Sequence, residues 1–117
     1  MSKSRAKGTF AETAVVKFLR AHGFPGAERR ALAGSNDLGD IFTGPGLVWE
    51  VKNVRTYAIP AWLQETAVEK LNAGADYGVL VIKPNGVGVD HVGQWWAVLP
   101  LWQATSLLRD AGYGDPQ

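Results

Sequence analysis

The sequence has no cysteine and no long apolar run, and both absences exclude classes of protein. Its 117 residues include no cysteine, which excludes a disulfide framework, a thiolate zinc site and a cysteine nucleophile. The longest apolar run, Trp95–Trp102, is far shorter than the ~18 residues of a membrane-spanning helix. We therefore expect a cytoplasmic protein without a membrane segment, and the length predicts one domain over residues 1–117.

Charge of either sign is modest overall but unevenly distributed. The formal net charge is only +1. Residues 1–30 carry seven basic and two acidic side chains, whereas residues 31–117 carry five basic and nine acidic ones. This asymmetry predicts a basic edge that meets a polyanion, beside an acidic cluster that holds a cation. A solubilising N-terminal tail explains the basic residues equally well.

Apolar periodicity and the positions of glycine and proline predict alternating helices and strands. The helices are expected at residues 8–22, 60–74 and 100–112. The strands are expected at residues 40–43, 47–53, 78–83, 87–92 and 94–99. In the second helix Leu63, Ala67 and Leu71 share one face. This order predicts an α/β fold, a sheet with helices on both sides.

A hairpin in the middle of the chain brings together residues suited to metal-dependent chemistry. A three-residue turn at 44–46 places Asp40 directly opposite Glu50, with Cβ atoms roughly 5 Å apart. Lys52 projects from the same face, two residues further along its strand. Adjacent carboxylates repel unless a cation lies between them, and oxygen ligands favour Mg²⁺ or Mn²⁺. A lysine beside such an ion stabilises charge that develops on a phosphate.

The competing interpretation of these residues is a solvated, salt-bridged face. Against it, Glu50 lies within the apolar run Leu47–Val51, where an unpaired charge is costly. Glu12 shares its helix face with Val15 and Leu19, so it is expected to point inward, although the helix dipole alone also favours a glutamate there.

Two further polar residues have both a functional and a structural interpretation. Gln64 lies on the side of Val68 and Leu71, where a buried amide orients Lys52 or a water, or is simply a satisfied polar group. Ser35 lies in the loop before the first strand of the hairpin, where its hydroxyl contacts a phosphate or caps local backbone.

Seven short motifs occur in a fixed order along residues 8–83. They are Gly8-Thr9-Phe10-Ala11-Glu12, Gly23-Phe24, Arg29-Arg30, Gly34-Ser35, Gly39-Asp40-Ile41, Glu50-Val51-Lys52 and Gln64. This ordered series resembles the PD-(D/E)xK nuclease superfamily, and within it the small Holliday-junction resolvases of archaea and phages. One departure is that the superfamily usually has Pro-Asp where this chain has Gly39-Asp40. Asp37 is therefore a competitor of Asp40, but it lies three positions earlier and loses the pairing with Glu50.

The resemblance implies a restriction-endonuclease-like fold with a central mixed β-sheet, and phosphodiester hydrolysis that depends on Mg²⁺, for which Mn²⁺ substitutes. The residues that it assigns to catalysis are Glu12, Ser35, Asp40, Glu50, Lys52 and Gln64. Those that it assigns to the metal are Glu12, Asp40, Glu50 and, through its backbone carbonyl, Val51. The rival activities are the same chemistry on other DNA in replication, repair or restriction, an inactive DNA-binding module of this fold, and a structural interaction protein.

The expected partners are DNA, with a four-way junction as the favoured substrate, and a second copy of the chain. The basic residues expected to contact DNA are Lys3, Arg5, Lys7, Arg29, Arg30 and Arg55, the first three in a basic arm over residues 1–7. A homodimer is expected because resolving a junction requires two symmetric incisions. The candidate positions for its contact are Trp62, Trp95, Trp96 and Trp102, although each ring alone also suits the core of a monomer.

Overall fold

Helices pack against both faces of a five-stranded sheet in the computed structural model, which describes residues 3–30 and 37–116. In that part of the chain the helices are α1 (Lys3–Ala21), α2 (Ile59–Ala73) and α3 (Leu101–Asp110). The strands are β1 (Glu28–Arg29), β2 (Ile41–Phe42), β3 (Leu47–Lys52), β4 (Tyr77–Ile82) and β5 (Trp96–Val98). A short 3₁₀ helix covers Val89–Gln94. None of the described helices is both long and apolar enough to cross a membrane.

The sheet is mixed, and its strands are adjacent in chain order. β3 and β4 are parallel and joined through α2, whereas every other neighbouring pair is antiparallel. Val51, Val79 and Val81 pack with buried residues of α1. Leu80 and Ile82, which alternate with those valines, pack with Trp62 of α2 on the opposite face. The predicted α/β class, a mixed sheet with helices on both sides, is confirmed.

The hairpin that positions the site has the predicted register. Ile41 pairs with Trp49, which is the pairing that a turn at 44–46 requires. The turn is possible because Gly44 and Gly46 adopt φ values of 126° and 93°, where other residues are strained. On β3, alternation sends Val51 to the α1 core and Glu50 and Lys52 to the α2 face.

Two predictions are wrong: the start of the first helix and the strand at residues 87–92. α1 begins at Lys3 rather than at residue 8, so the basic residues 3–7 belong to a helix and not to an arm. Apolar periodicity missed this segment because Ala6 is its one apolar residue, although lysine, arginine and alanine favour helix. The strand expected at 87–92 is absent: that segment lies largely in the 3₁₀ helix, and Trp95 Nε1 holds it by donating to the Gly88 carbonyl at 3.2 Å.

The buried face of α2 also differs from the prediction. Trp62, Thr66 and Glu69 are buried, whereas Leu71 is 77 % exposed and Ala67 is exposed. Of the predicted face only Leu63 packs against the buried cluster around Trp62, because polar residues occupy much of the inner face of the helix. Thr66 is accommodated there because its hydroxyl donates to the Trp62 carbonyl at 2.8 Å.

Candidate functional site

Four of the residues predicted to be catalytic line a cleft of about 720 Å³ beside the hairpin, near the N-terminal parts of α1 and α2; they are Glu12, Asp40, Glu50 and Lys52. Its charged lining residues are Arg5, Glu12, Arg29, Arg30, Asp37, Asp40, Glu50, Lys52 and Glu65. Below we call this space the charged cleft. The hairpin, both helices and β1 all contribute to it, so it combines parts of the chain that are far apart in sequence.

Asp40 is held at the edge of the cleft by the main chain of β3. Its Oδ2 accepts a hydrogen bond from the Val51 N–H at 2.8 Å, and its own N–H donates to the Trp49 carbonyl at 2.8 Å. Its carboxylate lies beside that of Glu50, close enough to raise the Glu50 pKa. The predicted juxtaposition of Asp40 and Glu50 is therefore present. The contact that Val51 makes with Asp40 uses its N–H group, whereas the resemblance assigned its carbonyl to the metal.

Glu50 is the most buried carboxylate lining the charged cleft, with 3 % of its surface exposed. Burial raises its pKa, and the neighbouring carboxyl groups of Asp40, Glu65 and Glu69 raise it further. The hydrogen bond with Glu50 lowers the pKa of Glu65. In the absence of a cation, burial and the neighbouring carboxyl groups thus disfavour the ionised form of Glu50. A bound cation would favour that ionised form.

Lys52 lies against two acidic side chains, with its Nζ 3.1 Å from Glu65 Oε2 and 3.8 Å from Glu50 Oε2. Burial lowers the Lys52 pKa, but the attraction of Glu50, Glu65 and Asp40 outweighs burial, and the net shift is upward. The side chain also lies over the Trp62 ring, 6.0 Å from its centroid. Lys52 is therefore a fixed positive charge in the cleft rather than a proton acceptor.

Glu12 faces inward, as expected, from the first half of α1. Its Oε1 accepts from Arg29 Nε at 3.1 Å. Burial and the nearby Asp40 raise the Glu12 pKa, and the contact with Arg29 opposes that shift. α1 thus brings a third carboxylate within electrostatic reach of the Asp40–Glu50 pair.

α2 contributes glutamates rather than the predicted glutamine. Gln64 is exposed, so its interpretation as a buried amide that orients Lys52 is wrong. The next residue, Glu65, contacts Lys52 instead, and Glu69 lies one turn further, fully buried. Burial and the nearby Asp37 raise the pKa of Glu69 to about 8. Glu65 and Glu69 are four residues apart and so share a helix face, a signal that was present in the sequence.

Basic residues lie around the acidic centre of the cleft. Arg5, Arg29 and Arg30 line it. The Arg30 guanidinium lies 4.8 Å from the centroid of the Phe42 ring, and its Nε is buried without a hydrogen-bond partner among the described residues. The other basic residues expected at DNA, Lys3, Lys7 and Arg55, are exposed. Ser35, the predicted loop hydroxyl, lies outside the described residues.

This arrangement combines oxygen ligands, a fixed ammonium group and guanidinium groups, which is the donor set for a hard divalent cation and a phosphate. The adjacent carboxylates of Asp40 and Glu50 suit such a cation, because Glu50 is buried, and Glu12 lies within electrostatic reach of Asp40. No family model, no curated protein and no solved structure matches this chain.

Proposed function

We propose that the chain is a metal-dependent, structure-selective DNA endonuclease of the PD-(D/E)xK type, with a restriction-endonuclease-like fold, and that it resolves four-way junctions. The observation that carries this proposal is the meeting of Asp40, Glu50 and Lys52 in one cleft that is also lined by Arg5, Arg29 and Arg30. A site that only stabilised the fold would have no need of a buried carboxylate and three guanidinium groups around one open space.

In this proposal Asp40, Glu50 and Glu12 hold Mg²⁺, or Mn²⁺ in its place, with the Val51 main chain beside them. When bound, such an ion activates water for in-line attack on phosphorus and stabilises the charge that develops on the phosphate. The 3′-oxygen leaves as the new bond to phosphorus forms. The main-chain hydrogen bonds of Asp40 support this role, because they fix its carboxylate before any substrate arrives.

Lys52 supplies a positive charge beside the scissile phosphate. Because its pKa is raised, the ammonium group stays protonated and donates hydrogen bonds to a phosphate oxygen or to the attacking water. Glu65 positions Lys52 through the 3.1 Å contact. The guanidinium groups of Arg29 and Arg30, which line the cleft, bind the DNA backbone on either side of the scissile bond.

Two symmetric incisions require two such sites, so we propose that the active form is a homodimer. Trp62 and Trp95, two of the predicted contact positions, are in the core and therefore unsuitable. Trp96 and Trp102 are 45 % and 55 % exposed, and α3 also exposes Leu101. This exposed apolar surface supports a contact through α3, because large exposed apolar patches mark interfaces.

The test is incubation of the protein with an end-labelled four-way junction and a sequence-matched linear duplex, with Mg²⁺ or with excess EDTA. We expect paired incisions in opposed strands of the junction, and none with EDTA or with Asp40→Asn. Equal cleavage of linear duplex would favour a general nuclease of the same chemistry. Binding without cleavage would favour an inactive DNA-binding module, and no binding at low salt would leave an interaction protein.

Light scattering of the same preparation tests the dimer. We expect twice the chain mass of 12.6 kDa at the protein concentration of the cleavage assay. A mass near that of one chain in the presence of paired incisions would contradict the proposed contact through α3. Replacing Trp102 by Ala distinguishes loss of the dimer from loss of the fold. The dimer should weaken while the fold is retained, because that ring is more than half exposed.

A further inference from the structure

Glu69 is a buried carboxylate that the proposed nuclease site does not use. It lies on the sheet-facing side of α2 with 0 % of its surface exposed. Neither of its carboxylate oxygens has a hydrogen-bond partner among the described residues. Removing a carboxylate from water without a partner is strongly unfavourable, so such a group calls for a ligand or another compensating contact.

The side chain of Glu69 points at three other acidic residues. Asp37, Glu50, Glu65 and Glu69 each bring one carboxylate oxygen to within 4.8 Å of the others. Oxygens on opposite sides of an ion with bond lengths of about 2.1–2.4 Å are themselves about 4.2–4.8 Å apart. The four oxygens therefore fit around one small cation.

Lys52 compensates only part of this negative charge. Its Nζ contacts Glu65 and Glu50, and no ion pair with Glu69 exists among the described residues. Elements on three sides position the four carboxylates: β3 carries Glu50, α2 carries Glu65 and Glu69, and the segment before β2 carries Asp37. That segment is fastened to α2, because Asn72 Nδ2 donates to the Asp37 carbonyl at 2.9 Å.

We propose that Asp37, Glu50, Glu65 and Glu69 bind a hard divalent cation at a second site, next to the one proposed at Asp40 and Glu12 and sharing Glu50 with it. The ligands are all carboxylate oxygens, which selects Mg²⁺, Mn²⁺ or Ca²⁺ over softer ions. The site depends on the buried Glu69 and not on nuclease activity, so it holds or fails without DNA.

The test measures Mn²⁺ binding to the full chain in the absence of DNA. Free Mn²⁺ is counted by electron paramagnetic resonance, and the shift of the melting temperature on adding Mn²⁺ is recorded in parallel. Glu69→Gln keeps the shape of the side chain and removes its charge. We expect this variant to lose one of two bound ions, or to bind it at least tenfold more weakly, whereas Asp40→Asn keeps that ion.

Glu65→Gln is the second variant, because Glu65 is partly exposed and its substitution leaves the core unchanged. It is expected to weaken the same ion, with an unchanged circular dichroism spectrum. Glu28→Gln is the matched control, since Glu28 is exposed on β1 and is absent from both sites. Unaltered Mn²⁺ number and affinity in folded Glu69→Gln or Glu65→Gln would overturn the proposal. Absence of junction cleavage with this binding intact would overturn the nuclease and leave the second site standing.

Discussion

The two faces of the sheet differ in the kinds of side chain that they bury. On the α1 face, ten buried hydrophobic residues of the described ranges form one cluster that extends from α1 across the sheet to Trp95. On the α2 face, the cluster of buried hydrophobic residues contains only Trp62, Leu80 and Ile82 in the described chain. Beside it lie two buried glutamates, Glu50 and Glu69.

A single strand supplies both faces. β3 directs Val51 into the apolar cluster and directs Glu50 and Lys52 toward the carboxylates of α2. Apolar packing on the α1 face stabilises the hairpin. It thereby offsets the unfavourable burial of acidic groups on the α2 face. Substitutions on the α1 face should therefore change stability, and substitutions on the α2 face should change chemistry and cation binding.

The largest expected effect is the loss of DNA cleavage when residues on the α2 side of the hairpin are substituted. Asp40→Asn or Lys52→Ala should lower the rate of junction cleavage at least ~100-fold, because each removes a group that acts on the developing charge. DNA affinity should stay close to wild type for both variants, and the melting temperature should stay close to wild type for Asp40→Asn. Glu12→Gln should lower the rate less, since its carboxylate is partly engaged by Arg29. If Asp37→Asn were inactive and Asp40→Asn active, the assignment of the hairpin carboxylate would be wrong.

The next effect is on stability and belongs to the α1 face. Leu19→Ala should lower the free energy of unfolding by about 2–5 kcal/mol, because it empties a fully packed position. Leu71→Ala, the same substitution at a position 77 % exposed, should change it by less than about 0.5 kcal/mol. Urea denaturation measures both. Equal losses at the two positions would contradict the described packing.

A smaller effect concerns the pH dependence of stability without divalent ions. The folded-state pKa of Glu69 is about 8, above its ordinary value of 4.5. The folded protein therefore retains a proton that the unfolded chain releases, and stability falls as pH rises from about 4.5 to about 8. Glu69→Gln has no such proton to release. The difference between its melting temperature and that of wild type, measured in EDTA, should therefore increase in favour of the variant as pH rises across that range. For Glu28→Gln the difference should be constant, and a constant difference for Glu69→Gln would contradict the raised pKa.

The smallest effect is expected from the basic residues at the start of α1. Replacing Lys3 and Lys7 by Ala should weaken DNA binding modestly and flatten the slope of log affinity against log salt by about 2, since each phosphate contact releases about one counterion. Arg109→Ala, an exposed substitution on α3, should leave the slope unchanged. An unaltered slope in the lysine variant would make this segment a solubilising one.

The hairpin register could be predicted because it depends on local geometry. A turn at 44–46 between two short apolar strands leaves one pairing that keeps Ile41 buried, and the same pairing sets Asp40 beside Glu50. The limits of α2 were also local, since Pro60 suits its first turn and Gly74 ends it with φ 60°. The inward orientation of Glu12 followed from its position among apolar neighbours on α1.

The orientation of α2 about its own axis could not be predicted from its apolar residues. Apolar spacing predicted one buried face, with Leu63, Ala67 and Leu71, whereas the structure buries a second face, with Trp62, Thr66 and Glu69. Packing favours the second, because Trp62 meets Leu80 and Ile82 and because Gly78 leaves room for Thr66, whose methyl lies 3.0 Å from where a Cβ would be. That rotation replaces Gln64 by Glu65 as the neighbour of Lys52.

Sequence pattern was therefore sufficient for α2, α3, the hairpin pair and the acidic and basic character of the cleft, but not for β1, the start of α1 or the 3₁₀ helix. These properties depend on turn chemistry and on side-chain alternation over a few residues. The proximity of Asp37, Glu65 and Glu69 to Glu50 depended on tertiary packing. It requires α2 to pack on the sheet with one particular face inward, and it requires Asn72 to hold the Asp37 segment. Contacts across long stretches of chain have no local signature, which is why the carboxylates of α2 emerged only from the folded protein.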